Sequence, residues 1–148
     1  MLSQLVYSSR RRCPQAEQIQ MQDTILAVSR RNNTRDGVTG FLLIDRCLFF
    51  QVLEGERACI MATYDRIQRD RRHSDVSLMS LRDIGARAFP DWSMLGLVRS
   101  PAHQAIFSRH RMTGTLDPDH VTAPGLVALA MDLQDHDRAA ASPVLDAA

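Results

Sequence analysis

The 148-residue chain contains no lysine, because all 18 of its basic residues are arginine. Schiff-base enzymes, pyridoxal enzymes and P-loop nucleotide hydrolases each depend on a lysine amine, so these classes are excluded. No apolar run is long enough to span a membrane, and in the N-terminal segment MLSQLVYSSRRR the charges follow the apolar residues, the reverse of a secretory signal. We therefore expect a cytoplasmic protein with no membrane partner.

Cysteine is also scarce, and its spacing is uninformative. The three cysteines, Cys13, Cys47 and Cys59, form no CxxC pair and are odd in number, which favours reduced thiols over a disulfide framework or a zinc site. The histidines of the C-terminal part match no spacing typical of a metal or catalytic site: His103, His110, His120 and His136. The sequence therefore predicts no metal site.

Charge is unevenly distributed along the chain. Residues 1–112 carry 17 arginines against 11 acidic residues, whereas residues 113–148 carry one arginine against six aspartates. Outside the run Arg10–Arg12, acidic residues are interleaved with the arginines, which is typical of a solvated surface rather than of a nucleic-acid-binding stripe. We expect no nucleic-acid partner.

Hydrophobic periodicity predicts an α+β domain. Strands are predicted at residues 2–9, 38–45, 47–54, 75–84 and 92–98, and helices at residues 15–31 and 57–69. The order β-α-β-β-α-β-β is that of a ferredoxin-like fold, in which two helices cover one face of a single sheet. Two short C-terminal helices, near residues 103–111 and 125–135, are expected to follow. We predict a domain at residues 1–100 and a helical extension and tail at residues 101–148.

The segment FFQVLEGE places a glutamine inside an apolar strand. Burying an amide without a partner costs about 1–3 kcal/mol, so Gln51 should be hydrogen-bonded. Phe49, Gln51 and Leu53 share one strand face, and if this face looks toward the helices, Tyr7 in the first strand can reach the same space. Two interpretations stay open: a polar site for a ligand with donors and acceptors, or a Tyr7–Gln51 hydrogen bond that is satisfied within the protein.

Five segments of the chain resemble the BLUF family, the sensors of blue light using FAD. They are LVYSS, SRRNNTRDGVTGFLL, FFQVLEGE, YDRIQRDRRH and FPDWSM, they occur in the family's order, and they cover residues 2 to about 98. The resemblance implies a blue-light photoreceptor that binds FAD noncovalently within residues 1–100 and that is not an enzyme.

The resemblance also implies roles for individual residues. Tyr7 would give an electron and a proton to the excited flavin, and Gln51 would lie between this phenol and the flavin N5/O4 edge. Trp92 and Met94 match the strand whose packing changes with light in this family. The implied cofactor contacts are Ile25, Ser29, Asn32, Asn33, Arg66, Ile67, Asp70 and His73.

Because the chain ends soon after the matched segments, the output is expected to pass through a downstream signalling protein. The apolar segment at residues 125–133 predicts a contact in a homo-oligomer. Two other functions are compatible with the fold. One is a hydrolase of the acylphosphatase type, against which no phosphate-cradling loop follows the first strand. The other is a non-photochemical assembly module.

Overall fold

The structure is a computed structural model of the chain and describes residues 1–10, 31–71, 74–91 and 95–147. The predicted first helix, at residues 15–31, lies almost entirely outside the described residues. Residues 31–36 are helical and are labelled α1. The chain divides into two compact units, Met1–Arg99 and Ser100–Ala148. The assignment of FAD binding to residues 1–100 stays a prediction.

The first unit is built on a five-stranded sheet with the strand order β4-β1-β3-β2-β5. Adjacent strands are antiparallel, except that β5 runs parallel to β2. The strands are β1 (Leu2–Arg10), β2 (Thr39–Asp45), β3 (Leu48–Glu56), β4 (Ser74–Asp83) and β5 (Leu95–Val98). Helix α2 (Arg57–Arg69) coincides with its predicted range. The arrangement is the predicted ferredoxin-like α+β fold.

The hairpin between β2 and β3 turns within two residues, since Asp45 and Leu48 are directly paired. Arg46 adopts a positive φ of 57°, the left-handed conformation that such tight hairpin turns require. Cys47, the second turn residue, is disulfide-bonded, whereas Cys59 is a free thiol. The prediction of reduced thiols is therefore wrong for Cys47. Spacing along a chain does not reveal which cysteines the fold brings within bonding distance.

The central strands β1 and β3 are buried on both faces. On one face, the core joins apolar side chains of β1, β2 and β3 to those of α2, and its members are Leu5, Tyr7, Val38, Leu42, Ile44, Phe49, Leu53, Ile60 and Tyr64. On the opposite face, Phe41 packs against Phe89, with 5.6 Å between ring centroids. The face that carries Gln51 is therefore the face covered by α2.

The second unit is helical. A 3-10 turn (Pro101–His103) leads directly into helix α3 (Gln104–Arg109), and helix α4 spans Ala123–Ala147. Both predicted helices exist, but the second is not short, because α4 has 25 residues. The alanines at residues 139–141 have the highest helix propensity of any residue type, which favours extension beyond the apolar segment. Among the described residues, no helix is long and apolar enough to cross a membrane.

The core assignment predicts unequal effects for two leucines of the same sheet. Leu53 has an exposed fraction of 0%, whereas Leu78 in the edge strand β4 is 47% exposed. Leu53→Ala should lower the free energy of unfolding by about 2–5 kcal/mol, because it removes packed methyl groups and leaves a cavity. The matched control Leu78→Ala should change it by less than about 0.5 kcal/mol. Urea denaturation measures both, and equal effects would contradict the assignment.

Candidate functional site

The candidate site is centred on a hydrogen bond between the two central strands. Tyr7 in β1 and Gln51 in β3 are directly opposite each other, so their side chains leave the sheet on the same face. The Tyr7 hydroxyl donates to Oε1 of Gln51. Both side chains are buried, with exposed fractions of 1% and 4%. The fold therefore brings together the two residues for which the sequence predicted a shared polar site.

Tyr64 in α2 covers this pair, and sequence reasoning gave it no functional role. Its ring centroid lies 5.5 Å from that of Tyr7, with the ring planes tilted by 53°. Tyr64 belongs to an apolar helix face with Ile60 and Ile67, which the i, i+4, i+7 spacing already indicated. The sequence pattern did not indicate that this face lies over Tyr7, because that position depends on how α2 packs on the sheet.

Burial raises the pKa of the Tyr7 phenol well above its ordinary value, and the nearby Tyr64 and Asp70 raise it further. Burial also raises the pKa of Tyr64, with a smaller contribution from Asp65. Desolvation disfavours the charged form of a group, so the phenolate is costly in this core. Tyr7 is therefore a neutral hydrogen-bond donor throughout the physiological pH range.

Three further predicted cofactor contacts lie in or beside the same core. Asn33, at the end of α1, is buried, and its backbone carbonyl accepts from the N–H of Val38 at 2.8 Å. Val38 belongs to the core cluster that contains Tyr7. Ile67 packs against this cluster from α2, and Asn32 is half-buried. A flavin-binding role for these residues stays a prediction.

Arg66 and Asp70, predicted to contact the flavin from α2, occupy different environments. The exposed Arg66 donates to Asp36 at 3.1 Å and so links α2 to the end of α1. Hydrogen bonds from Arg35 and Arg66 lower the pKa of Asp36 to about 2. Asp70 caps the C-terminus of α2, and its charge contributes to the raised pKa of Tyr7. Asp70 therefore lies within electrostatic reach of the central hydrogen bond.

The remaining predicted site residues lie outside the described residues. They are the cofactor contacts Ile25, Ser29 and His73 and the light-responsive pair Trp92 and Met94. Their roles stay predictions.

Glu54, on the opposite face of β3 from Gln51, is a second buried polar group that sequence reasoning did not assign to the site. Its exposed fraction is 0%. Its carboxylate accepts from Nε2 of Gln4 at 2.9 Å and from the backbone N–H groups of Ala88 at 3.0 Å and Phe89 at 2.7 Å. An acidic residue inside the buried strand FFQVLEGE was the available signal, since a buried carboxylate requires several donors.

Arg87, which directly precedes Ala88 and Phe89, is also hydrogen-bonded to the sheet. Its guanidinium donates to the carbonyl of Gly37 at 2.9 Å, to the hydroxyl of Thr39 at 2.9 Å and to the carbonyl of Glu54 at 3.2 Å. Residues 87–89, which lie between β4 and β5, are therefore held to β2 and β3 by both side-chain and backbone groups.

The family model described as "Sensors of blue-light using FAD" matches residues 2–95. The chain belongs to the BLUF family. It is 34% identical over 71 residues to photoactivated adenylate cyclase subunit beta of Euglena gracilis, a match that covers 47% of this chain and only 8% of that protein. The chain thus spans a small part of the curated relatives that it matches.

Two solved BLUF structures share the fold over nearly their full length. BlsA in its photo-activated state superposes with a TM-score of 0.79 at 27% identity, covering 90% of this chain and 94% of BlsA. The dark-state structure of BlrB gives a TM-score of 0.70 at 31% identity, covering 87% of this chain and 96% of BlrB. These matches confirm the ferredoxin-like fold.

Membership of the family confirms FAD as the cofactor and blue-light sensing as the function of the domain. The BLUF domain is a sensor and not an enzyme, so the acylphosphatase alternative loses its support. The buried residues also fit the cofactor chemically. The pyrimidine side of a flavin presents carbonyl acceptors and an N–H donor, and the side-chain amides of Asn33 and Gln51 each offer both functions.

The raised pKa values of the two tyrosines predict a loss of stability in alkali. The unfolded chain releases the protons of Tyr7 and Tyr64 as the pH passes about 10, whereas the folded chain retains them, so the free energy of unfolding should fall above that pH. Tyr7→Phe removes the more strongly shifted group and should reduce this fall. Thermal melts between about pH 8 and 11 measure the effect, and an unchanged alkaline loss in Tyr7→Phe would contradict it.

Proposed function

We propose that the chain senses blue light through electron and proton donation by Tyr7 to bound FAD, followed by reversal of the Gln51 hydrogen bonds. The observation that supports this proposal is the Tyr7–Gln51 hydrogen bond, buried in an apolar core under α2. Family membership supports FAD as the cofactor and blue light as the stimulus. The contacts of Tyr7 and Gln51 in this chain support the proposed mechanism.

FAD, when bound, absorbs the blue light and accepts an electron and a proton. Tyr7 is a neutral phenol in a desolvated site, so removing its proton alone is unfavourable. Loss of an electron makes a phenol strongly acidic. Oε1 of Gln51 already accepts the hydrogen bond of the Tyr7 hydroxyl, so it is the atom toward which the proton would move. Electron loss from Tyr7 is therefore coupled to movement of its proton along this bond.

The Gln51 amide has a donor end and an acceptor end of nearly equal size. Rotation or tautomerisation of this amide reverses its hydrogen-bonding pattern with little change in the volume that it fills. Its strand neighbours on this face, Phe49 and Leu53, are buried, so water does not compete for the new bonds. In a low-dielectric core, the same exchange of donor and acceptor has a larger electrostatic effect than in water.

Strand β3 connects this exchange to the segment that leads into β5. Glu54 lies three residues beyond Gln51 and binds the backbone N–H groups of Ala88 and Phe89, whereas Gln51 faces the opposite side of the sheet. A displacement of β3 at Gln51 therefore acts on residues 87–89 through a charge-assisted contact. The resemblance to the BLUF family implies that Trp92 and Met94, a few residues farther along, form the light-responsive element.

The output of the sensor is proposed to be a signalling protein or domain. The Euglena relative is named photoactivated adenylate cyclase subunit beta, and this name supports an enzyme as one kind of effector. A cytoplasmic location and a homo-oligomer formed through residues 125–133 stay predictions.

Gln51→Leu tests the proposed switch directly. The variant should bind FAD, but its free energy of unfolding should fall by about 1–3 kcal/mol, because the buried Tyr7 hydroxyl loses the Gln51 oxygen that accepts from it. Reversal of the Gln51 amide would strengthen the hydrogen bonding to the flavin and shift its absorption to longer wavelength, giving a red-shifted species. The variant should form no such species after blue light, since it lacks the group that reverses its bonds. Light-minus-dark absorption spectra and thermal melts of the variant and the unsubstituted protein measure both expectations. A normal red shift in Gln51→Leu would refute the switch.

Tyr7→Phe is the companion variant and tests electron and proton donation by Tyr7. It keeps the ring packing against Tyr64, so FAD should remain bound, but it removes the hydroxyl that donates to Gln51. The red-shifted species should again be absent. If it formed normally in this variant, a donor other than Tyr7 would carry the photochemistry.

Glu54→Gln tests the contact that holds residues 88 and 89. An amide in place of the carboxylate turns one acceptor oxygen into a donor facing other donors, so the free energy of unfolding should fall by about 1–3 kcal/mol. Amide hydrogen exchange at Ala88 and Phe89 should accelerate. The matched control is Glu56→Gln in the same strand, whose side chain is 65% exposed. Equal protection of residues 88 and 89 in both variants would contradict the role of Glu54.

A further inference from the structure

Three side chains that can bind metal ions meet in the second unit, although they are far apart in the sequence. His103 ends the 3-10 turn, and His136 and Asp137 are neighbours in α4. Oδ1 of Asp137 lies 3.9 Å from Nε2 of His103 and 3.4 Å from Nδ1 of His136. One ring nitrogen from each histidine and one carboxylate oxygen all lie within 4.8 Å of one another.

We propose that His103, His136 and Asp137 form a binding site for a divalent transition-metal ion of the zinc class. Imidazole nitrogen and carboxylate oxygen are the usual non-thiolate ligands of zinc. Three protein ligands leave a fourth coordination position for water or another group. The ion would join the start of the helical unit to the C-terminal half of α4.

The spacing of the ligand atoms suits an ion better than direct hydrogen bonds. Two metal–ligand bonds of about 2.1 Å at a tetrahedral angle hold their ligand atoms about 3.4 Å apart. The distance of 3.9 Å from His103 to Asp137 is too long for a hydrogen bond, and the 3.4 Å from His136 to the same oxygen is at the upper limit. By contrast, His110 and Asp132 in the same unit approach to 2.6 Å, a closed contact with no room for an ion.

His103 is the anchoring ligand because it is buried and held at its other ring nitrogen. Its Nδ1 accepts from the backbone N–H of Ser100 at 3.2 Å and also lies 3.2 Å from the Ser100 hydroxyl. A metal ion on Nε2 requires the proton to reside on Nδ1. Metal binding would therefore end the hydrogen bond from the Ser100 backbone N–H to Nδ1, and the Ser100 hydroxyl oxygen would accept from Nδ1 instead. Ser100 is therefore a positioning residue, in the way that outer hydrogen-bond partners orient metal-bound histidines.

Burial lowers the pKa of His103, opposed by Asp137 and assisted by His136. The same contacts also have an ordinary structural use, since His103 closes the turn that begins at Ser100. Metal titration distinguishes the two roles, because only a coordination site binds an ion stoichiometrically.

The test is calorimetric titration of untagged, full-length, FAD-loaded protein with Zn²⁺, accompanied by the visible absorption of Co²⁺ as a probe of coordination. One ion per chain is expected. His136→Ala should weaken binding by more than about tenfold, and Ser100→Ala should weaken it by about tenfold. Binding should also weaken below about pH 6.5, where histidine becomes protonated.

The matched control is His120→Ala, which should leave the affinity unchanged. His120 lies in the same unit, has a side chain that is 82% exposed, and is paired with Asp117 at 2.7 Å. Because His136 is exposed, its substitution should also leave the melting temperature of the metal-free protein unchanged. Binding weaker than about millimolar, or equal weakening by His120→Ala and His136→Ala, would overturn the proposal.

Discussion

One hydrogen bond, from the hydroxyl of Tyr7 to the amide oxygen of Gln51, is the interaction on which the candidate site is centred. Its net contribution to stability is only about 0.5–1.5 kcal/mol, but leaving either buried group without a partner would cost about 1–3 kcal/mol. This asymmetry means that the amide must always have a partner. An amide in this position has few acceptable arrangements, because both of its ends need partners. A site with these properties can act as a switch, whereas an exposed amide would simply exchange partners with water.

Strand β3 carries a polar side chain on each of its two buried faces, and the two have different consequences. Gln51 faces α2 and shares its hydrogen bond with Tyr7, while Glu54 faces the other side and binds the backbone of residues 88 and 89. The Gln51 amide is neutral, and we propose that its hydrogen bonds can reverse. The second is a carboxylate with three donors, and such charge-assisted bonds are stronger than neutral ones. The strand therefore combines a group that can rearrange with one that resists rearrangement.

The helical unit, residues 100–148, also contains polar side chains that approach one another closely. Its histidines and aspartates form both a short direct pair, His110 with Asp132, and a wider cluster around His103. The contact of 2.6 Å between His110 and Asp132 is a hydrogen bond, whereas the 3.9 Å between His103 and Asp137 is too long for one. We propose a metal site only for the wider cluster. This inference does not depend on the photochemistry of the first unit, because every group in it belongs to residues 100–148.

Local patterns in the sequence were enough to predict the ferredoxin-like fold, the bounds of α2 and the strand face that carries Gln51. Periodicity is a property of neighbouring residues, and the BLUF segments matched in order, so these features needed no tertiary information. The pairing of Tyr7 with Gln51, the ring of Tyr64 above it and the donors around Glu54 were decided by strand register and helix packing. The Tyr7–Gln51 hydrogen bond was one of two interpretations that the sequence left open, whereas the length of α4, the disulfide at Cys47 and the meeting of His103 with His136 were missed. Each depends on contacts between residues distant in the sequence or on helix propensity beyond the apolar segment, and hydrophobic spacing along the chain records neither.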